Sequence, residues 1–113
     1  MHEYSIVQAL LERVTAEARA RRATSVHRLS IRIGELSGVE PELLATAYAT
    51  FRERTICEHA ELDLRMIAAR WECPRCGHDI GRGELLTCTR CSTPARLATG
   101  DEIMLDRIEM EVP

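Results

Sequence analysis

The chain has 113 residues, of which 45% are hydrophobic and 29% are charged, and its formal net charge is −3 at pH 7. These values are typical of one globular domain with room for a small appended module. The acidic balance argues against a general nucleic-acid binder, which needs a basic surface to displace counterions. No apolar run reaches the roughly 18 residues that would suggest a membrane-spanning helix.

The N-terminal residues lack the basic start and the apolar stretch of a secretory signal, so we expect a cytoplasmic protein. In that compartment the five cysteines favour metal ligation or free thiols over disulfides.

Two segments of the first half have helical periodicity. In the first, Ser5 and Gln8 predict a capping box at the start of a helix that ends near Arg22. In the second, Pro41 predicts the first helical residue. The apolar positions predicted to face the core are Ile6, Val7, Leu10, Leu11, Val14 and Ala18 in the first helix, and Leu44, Ala47, Tyr48 and Phe51 in the second.

Three segments alternate between apolar and polar residues, as half-buried strands do. Their apolar positions are Leu29, Ile31 and Ile33; Leu62, Leu64 and Met66; and Ile108, Met110 and Val112. The order of elements predicts an α+β fold in which two helices cover one face of a three-stranded sheet, with an insertion before the last strand. We expect a discontinuous domain formed by residues 1–70 and 101–113, and a separate module at residues 71–100.

The insertion reads WECPRCGHDIGRGELLTCTRCSTPARLATG and contains two C-x-x-C pairs separated by eleven residues. This spacing lets two tight turns bring four thiolates around one tetrahedral ion, so we expect structural zinc bound by Cys73, Cys76, Cys88 and Cys91. Four protein ligands leave no open position for a catalytic water. Gly77 can adopt the positive φ that such a turn needs, whereas Ser92 occupies the matching position of the second pair.

Other readings of the cysteines stay open. A rubredoxin-like iron site uses similar turns, and a nucleic-acid zinc ribbon would need more basic charge. A zinc ribbon that binds a protein, without any metal transfer, is the main functional alternative. Cys57 is expected to be a small buried hydrophobic residue, and His27 and His59 are expected at the surface. Protonation of His78, close to Cys76, is a further way in which the zinc geometry could change.

The opening Met-His-Glu offers a different set of metal donors. A chain amine loses its proton near pH 7.7–8.0, about one unit above neutrality, and the following backbone amides lie within five-membered chelate reach. His2 adds an imidazole. A square plane of nitrogen donors selects Ni(II) or Cu(II). From these residues alone, a solvated terminal histidine remains the alternative.

The segments MHEYSIVQALL, IGELSGVEPELL, CPRCG and CTRC, in this order, resemble the HypA family of hydrogenase maturation factors. The resemblance implies a nickel metallochaperone rather than an enzyme, with transferable Ni(II) and structural Zn(II). It places nickel on the Met1 amine, the His2 amide and imidazole, and the Glu3 backbone amide. It places zinc on the four cysteines at 73, 76, 88 and 91.

The resemblance also implies partners. These are a HypB-type GTPase, the precursor of the [NiFe]-hydrogenase large subunit and, in some members, urease maturation factors; a homodimer stays open. Neither nucleic acid nor membrane is an expected partner. No histidine follows the second cysteine pair as His78 follows the first. A route between nickel and zinc through two flanking histidines is therefore not expected in this chain.

Overall fold

The fold was obtained as a computed structural model, which describes residues 2–113 apart from the side chain of His2. Within residues 2–113, two helices and six strands follow one another. They are α1 (His2–Ala20), β1 (Ser25–Gly34), α2 (Pro41–Phe51), β2 (Glu61–Ile67), β3 (Arg70–Glu72), β4 (Asp79–Ile80), β5 (Arg96–Thr99) and β6 (Ile103–Glu111).

The larger sheet has the strand order β2-β1-β6, in which β2 runs parallel and β6 antiparallel to the central β1. Leu29, Ile31 and Ile33 of β1 are buried in one cluster with Val7 of α1 and Leu44 of α2. The apolar stripes of both helices therefore pack on one face of this sheet. The predicted α+β arrangement, with the cysteine insertion before the last strand, is confirmed.

The start of α1 differs from the prediction. The helix begins at His2, so Ser5 lies inside it and cannot act as the N-cap of a capping box with Gln8. The acidic residue in the first turn is Glu3, whose charge is favourable beside the free N–H groups of a helix start. The helix also ends at Ala20, two residues earlier than expected. Pro41 is the first residue of α2, as predicted.

Three residues that were predicted to face the core are instead exposed. Phe51, Met66 and Val112 are 46%, 50% and 51% exposed. Phe51 and Met66 lie in the last two residues of their elements, and Val112 follows the end of β6. The apolar period of a helix or strand does not show which of its residues are packed against neighbouring elements. It therefore overestimates burial at the ends of the element.

A second sheet, with the order β4-β3-β5, forms within the cysteine insertion. Two chain segments, residues 68–69 and residues 100–102, connect this sheet with the larger one. Both pass close to Gly34, with almost no space between the backbones. A Cβ atom on Gly34 would lie 2.2 Å from the carbonyl carbon of Gly100, and one on Gly100 would lie 2.5 Å from the Cα of Ala69. The N–H of Leu36 donates to the carbonyl of Gly100 at 2.6 Å. The crossing thus fixes three backbone segments against one another.

The carboxylate of Glu35 adds a second link at this crossing. It accepts hydrogen bonds from the guanidinium of Arg82, within the insertion, and from the N–H of Ala69 at 2.8 Å. Arg82, followed by the Ala69 N–H, holds the pKa of Glu35 below its usual range. Because a lowered carboxyl pKa favours the charged form, this link persists at neutral pH and is lost only in acid.

We expect Gly34→Ala to destabilise the zinc-loaded protein strongly, because its methyl group would overlap with backbone atoms that cannot rotate away. The free energy of unfolding in urea should fall by about 2–4 kcal/mol. Gly38→Ala is the matched control: Gly38 has φ +81° and no heavy atom within 4 Å of an added Cβ, so only about 1–2 kcal/mol of backbone strain is expected. An equal loss in the two variants would contradict the proposed crowding at Gly34.

Candidate metal centre

The four cysteines lie in two turns with the same hydrogen bonds. In the first, the N–H of Gly77 donates to the carbonyl of Cys73 at 2.9 Å, and the N–H of Cys73 donates to the carbonyl of His78 at 2.9 Å. In the second, the N–H of Ser92 donates to the carbonyl of Cys88 at 2.9 Å, and the N–H of Cys88 donates to the carbonyl of Thr93 at 2.9 Å. Each turn therefore directs two sulfur atoms toward the same point.

The two turns place the four thiols together, as the spacing predicted. All four Sγ atoms lie within 4.8 Å of one another, and those of Cys76 and Cys88 are 3.7 Å apart. A tetrahedron of sulfurs at the Zn–S distance of about 2.3 Å has S···S edges of about 3.8 Å, so the cluster fits a structural zinc ion. Bound there, the metal would cross-link the two turns.

The cluster is covered on one side only. Cys73 and Cys88, the first cysteine of each pair, are buried, and Ile80, Trp71 and Ala95 pack against them. Cys76, in contrast, is exposed. A chelator or a thiol reagent therefore has to approach from the side of Cys76.

Neighbouring groups shift the pKa values of two of the thiols in opposite directions. Hydrogen bonding from the backbone N–H of Cys76 lowers the pKa of Cys73, and the side chain of Cys76 raises the pKa of Cys91. Thiolates this close together repel each other. A divalent cation would remove this repulsion and favour four thiolates, so the donor set suits a metal in its chemistry as well as its geometry.

Of the expected nickel ligands, the backbones of His2 and Glu3 lie in the first turn of α1. Met1 and the side chain of His2 fall outside the described residues, so their part of the expected site stays a prediction. Glu3 is described: its side chain is buried at 4% exposure, and its carboxylate accepts a hydrogen bond from the N–H of Glu40 at 3.1 Å. The backbone amides of a helix's first turn have no acceptor four residues earlier in the same helix.

The remaining cysteine and the surface histidines are placed as expected. Cys57 is fully buried in the larger core, and burial raises the pKa of its thiol. The side chains of His27 and His59 are 58% and 91% exposed. His78 contributes its backbone carbonyl to the first cysteine turn, while the predicted effect of its protonation stays a prediction.

Sequence reasoning missed the structural roles of the Glu3 and Glu35 carboxylates. Both side chains accept backbone N–H groups from distant parts of the chain, and no local spacing shows such a contact. The available signal was indirect: Glu35 follows Gly34 within the IGELSGVEPELL segment on which the resemblance depends in part.

Comparison with known proteins agrees with this geometry. The family model described as hydrogenase/urease nickel incorporation, metallochaperone, hypA matches residues 1–110. The chain belongs to the HypA family. It is 41% identical over 113 residues to the hydrogenase maturation factor HypA of Shewanella halifaxensis, covering 98% of each chain. It is 40% identical over 114 residues to the HypA of Aquifex aeolicus, covering 99% of each.

Two solved structures share the fold. A solution structure of a HypA protein superposes with a TM-score of 0.81 at 31% identity and covers 97% of this chain and 96% of its own. The solution structure of the nickel metallochaperone HypA from Helicobacter pylori gives 0.73 at 30% identity, covering 98% of each chain. The resemblance noted in the sequence is thus confirmed, and the family's role is nickel incorporation by a maturation factor. Neither helix in residues 2–113 is long and apolar enough to cross a membrane.

The two cysteine turns predict opposite effects of two substitutions on zinc affinity. Ser92 adopts φ +53°, a left-handed conformation that costs a side-chain-bearing residue about 1–2 kcal/mol, whereas Gly77 adopts φ +74° without that cost. We expect Ser92→Gly to bind zinc roughly tenfold more tightly and Gly77→Ser to bind it more weakly by a similar factor. Competition against a chromogenic zinc chelator measures both. Unchanged affinity in both variants would show that backbone strain does not limit the metal site.

Proposed function

We propose that this protein carries Ni(II) at the start of α1 and delivers it during maturation of [NiFe]-hydrogenase. The observation that carries the proposal is the family match over residues 1–110, a range that includes the opening Met-His-Glu. The proposed ligands are the Met1 amine, the His2 amide and imidazole, and the Glu3 backbone amide. The Glu3 carboxylate is not among them, because it is occupied with the Glu40 N–H.

The start of a helix suits this chemistry. Its first backbone N–H groups have no intrahelical acceptor, so deprotonating them for a metal breaks no i to i−4 hydrogen bond. A square-planar set of nitrogen donors selects Ni(II) or Cu(II), and copper should bind at least as tightly. Selectivity for nickel over copper must then come from which metal ion is available to the protein and from its partner proteins. Acid favours release, because the amine, imidazole and amides all need to lose protons before they bind.

The two proposed metal sites have different tasks: one holds a zinc ion, and the other binds nickel for transfer. We propose that residues 71–100 form a zinc-binding module, in which Cys73, Cys76, Cys88 and Cys91 hold the ion permanently. Residues 1–70 and 101–113 would form the nickel-binding domain. Two sheets with separate hydrophobic clusters support this division. Since the nitrogen donors belong to one chain end, they can release the ion one by one without unfolding the sheet.

The proposed partners follow from the same role. A HypB-type GTPase would act with the chaperone, and the precursor of the hydrogenase large subunit would receive the nickel; urease maturation factors are a further target class. The family description names both hydrogenase and urease. All five cysteines are free thiols, which is consistent with the reducing cytoplasm as the place of action.

Titration of zinc-loaded protein with Ni(II) tests the nickel site. We expect His2→Ala, or two residues added ahead of Met1, to weaken binding at least tenfold, because each change removes or displaces a nitrogen donor. His59→Ala is the matched control, since its imidazole is 91% exposed and far along the chain, and it should leave the affinity unchanged. Tight binding in both altered proteins would refute the proposed nickel site.

A further inference from the structure

Strand β6 has one edge that no other strand covers. It is a terminal strand in the order β2-β1-β6, and within residues 2–113 it pairs with β1 alone. Its outer edge therefore presents backbone N–H and C=O groups that are not satisfied by another strand of the described chain. An extended segment of a second protein can add a strand to such an edge.

The register of β6 shows which part of this edge can pair with a further strand. Asp106 has no partner in β1, so it is an extra residue in β6 and forms a bulge, which interrupts a regular ladder. Beyond the bulge, Arg107–Glu111 follow one another without another extra residue in β6; the second irregularity lies in β1, at His27. Regular pairing with an added strand is therefore expected along Arg107–Glu111.

A cavity of about 430 Å³ lies beside this edge, between α1 and β6. Both Arg107 and Ile108 line it. Consecutive residues of a strand point to opposite faces of the sheet, so a cavity that touches both lies at the edge of the strand. The opposite wall is a stripe along α1 and just beyond its end, formed by Arg13, Glu17 and Arg21 at intervals of four residues. The cavity is thus a groove along the free edge, which we call the β6 groove.

The charges of the β6 groove favour an acidic segment. Two carboxylates line it, those of Glu17 and Asp106, and each already forms an ion pair with an arginine, at 3.6 Å and 2.7 Å respectively. The guanidiniums of Arg13 and Arg107, in contrast, have no ion pair or hydrogen bond within the described chain. The groove therefore offers two uncommitted positive charges, in a chain whose net charge is −3.

The other free edge of the sheet, on β2, has the opposite character. Its exposed charged side chains are those of Glu61, Asp63 and Arg65, which sum to a charge of −1. An acidic segment would be repelled there and attracted at the β6 groove. The two edges of one sheet therefore differ in the kind of strand that they can accept.

We propose that the β6 groove is a docking site for an extended acidic segment of a partner protein, which adds a strand along Arg107–Glu111. Backbone hydrogen bonds to β6 supply affinity, and the guanidiniums of Arg13 and Arg107 select acidic side chains. The site is separate from the proposed nickel ligands, because Arg13 lies about 16 Å along the helix from His2 at about 1.5 Å per residue. A partner held in the groove leaves the start of α1 accessible to a metal acceptor.

Peptide binding to the zinc-loaded protein tests the proposal in the unmodified chain. The probe is a seven-residue peptide of alternating glutamate and valine with blocked ends, and the readout is the set of backbone amide signals in ¹H–¹⁵N NMR spectra. We expect saturable shifts of the signals of Arg107–Glu111, while those of Glu61–Ile67 in β2 stay in place. No shifts at millimolar peptide, or larger shifts in β2 than in β6, would overturn the proposal.

Two control peptides separate strand addition from charge alone. In one, lysine replaces glutamate, which reverses the charge that faces the groove. In the other, every backbone nitrogen is methylated, which keeps the charge but removes the N–H donors that pair with an edge strand. Both should bind at least tenfold more weakly than the first peptide. Equal binding of either control peptide would contradict an acidic strand as the occupant.

Charge reversal on α1 tests the role of Arg13. We expect Arg13→Glu to weaken binding of the glutamate peptide at least threefold, because an attractive contact becomes repulsive. Arg19→Glu is the matched control: it changes the net charge equally and lies on the same helix, but Arg19 lines a different cavity together with Phe51 and Thr55. Its effect should be less than twofold. An equal loss in the two variants would show that net charge, not the groove, controls binding.

A dilution series without peptide tests the other possible occupant, a second copy of this chain. The amide signals of Arg107–Glu111 should not depend on protein concentration. If they shift on dilution while the protein changes from dimer to monomer, the edge pairs with a second copy, and the proposal of an acidic partner segment is wrong.

Discussion

The structure depends on one steric constraint, the crossing of backbone segments at Gly34 and Gly100. Because Gly100 would carry a Cβ only 2.5 Å from the Ala69 Cα, and Gly34 one only 2.2 Å from Gly100, neither position accepts a side chain without movement of the backbone. The two connections to the cysteine insertion are thereby pinned beside the end of β1. Glu35, the next residue, adds its bonds to Arg82 and Ala69 at the same place. A short segment of the chain thus fixes where the insertion is attached.

The two proposed metal sites reflect opposite physical requirements. Four thiols in two matching turns can fill all four positions around a zinc ion, which suits an ion that stays bound. The proposed nickel site would instead use backbone nitrogens at the start of α1, where the helical backbone of His2 has to change before it can chelate a metal. That change has a free-energy cost, and a site with such a cost releases its ion more readily than a preformed one. Stability of the zinc ion and transfer of the nickel ion can therefore coexist in one small protein.

The sequence predicted the features that depend on local chemistry. The C-x-x-C pairs alone indicated the thiol cluster, and the apolar periods indicated both helices and the three strands of the larger sheet. The start of α1 was misplaced because Ser5 and Gln8 fit a capping box equally well, while Glu3 stabilises an earlier start. Three exposed residues were assigned to the core, because periodicity cannot show where packing against neighbouring elements ends: Phe51, Met66 and Val112. The bonds of Glu3 and Glu35 could not be predicted, since each joins residues more than 30 positions apart.

X-ray absorption at the nickel and zinc edges of one sample, the zinc-loaded protein with a single equivalent of Ni(II), tests the central claim most directly. The account predicts a nickel spectrum with nitrogen neighbours in a square plane and no sulfur, beside a zinc spectrum with four sulfur neighbours that is the same before and after nickel is added. Sulfur scattering at the nickel edge would show that nickel binds the cysteines at 73, 76, 88 or 91, and would contradict the separation of a nitrogen site for transfer from a thiolate site for structure.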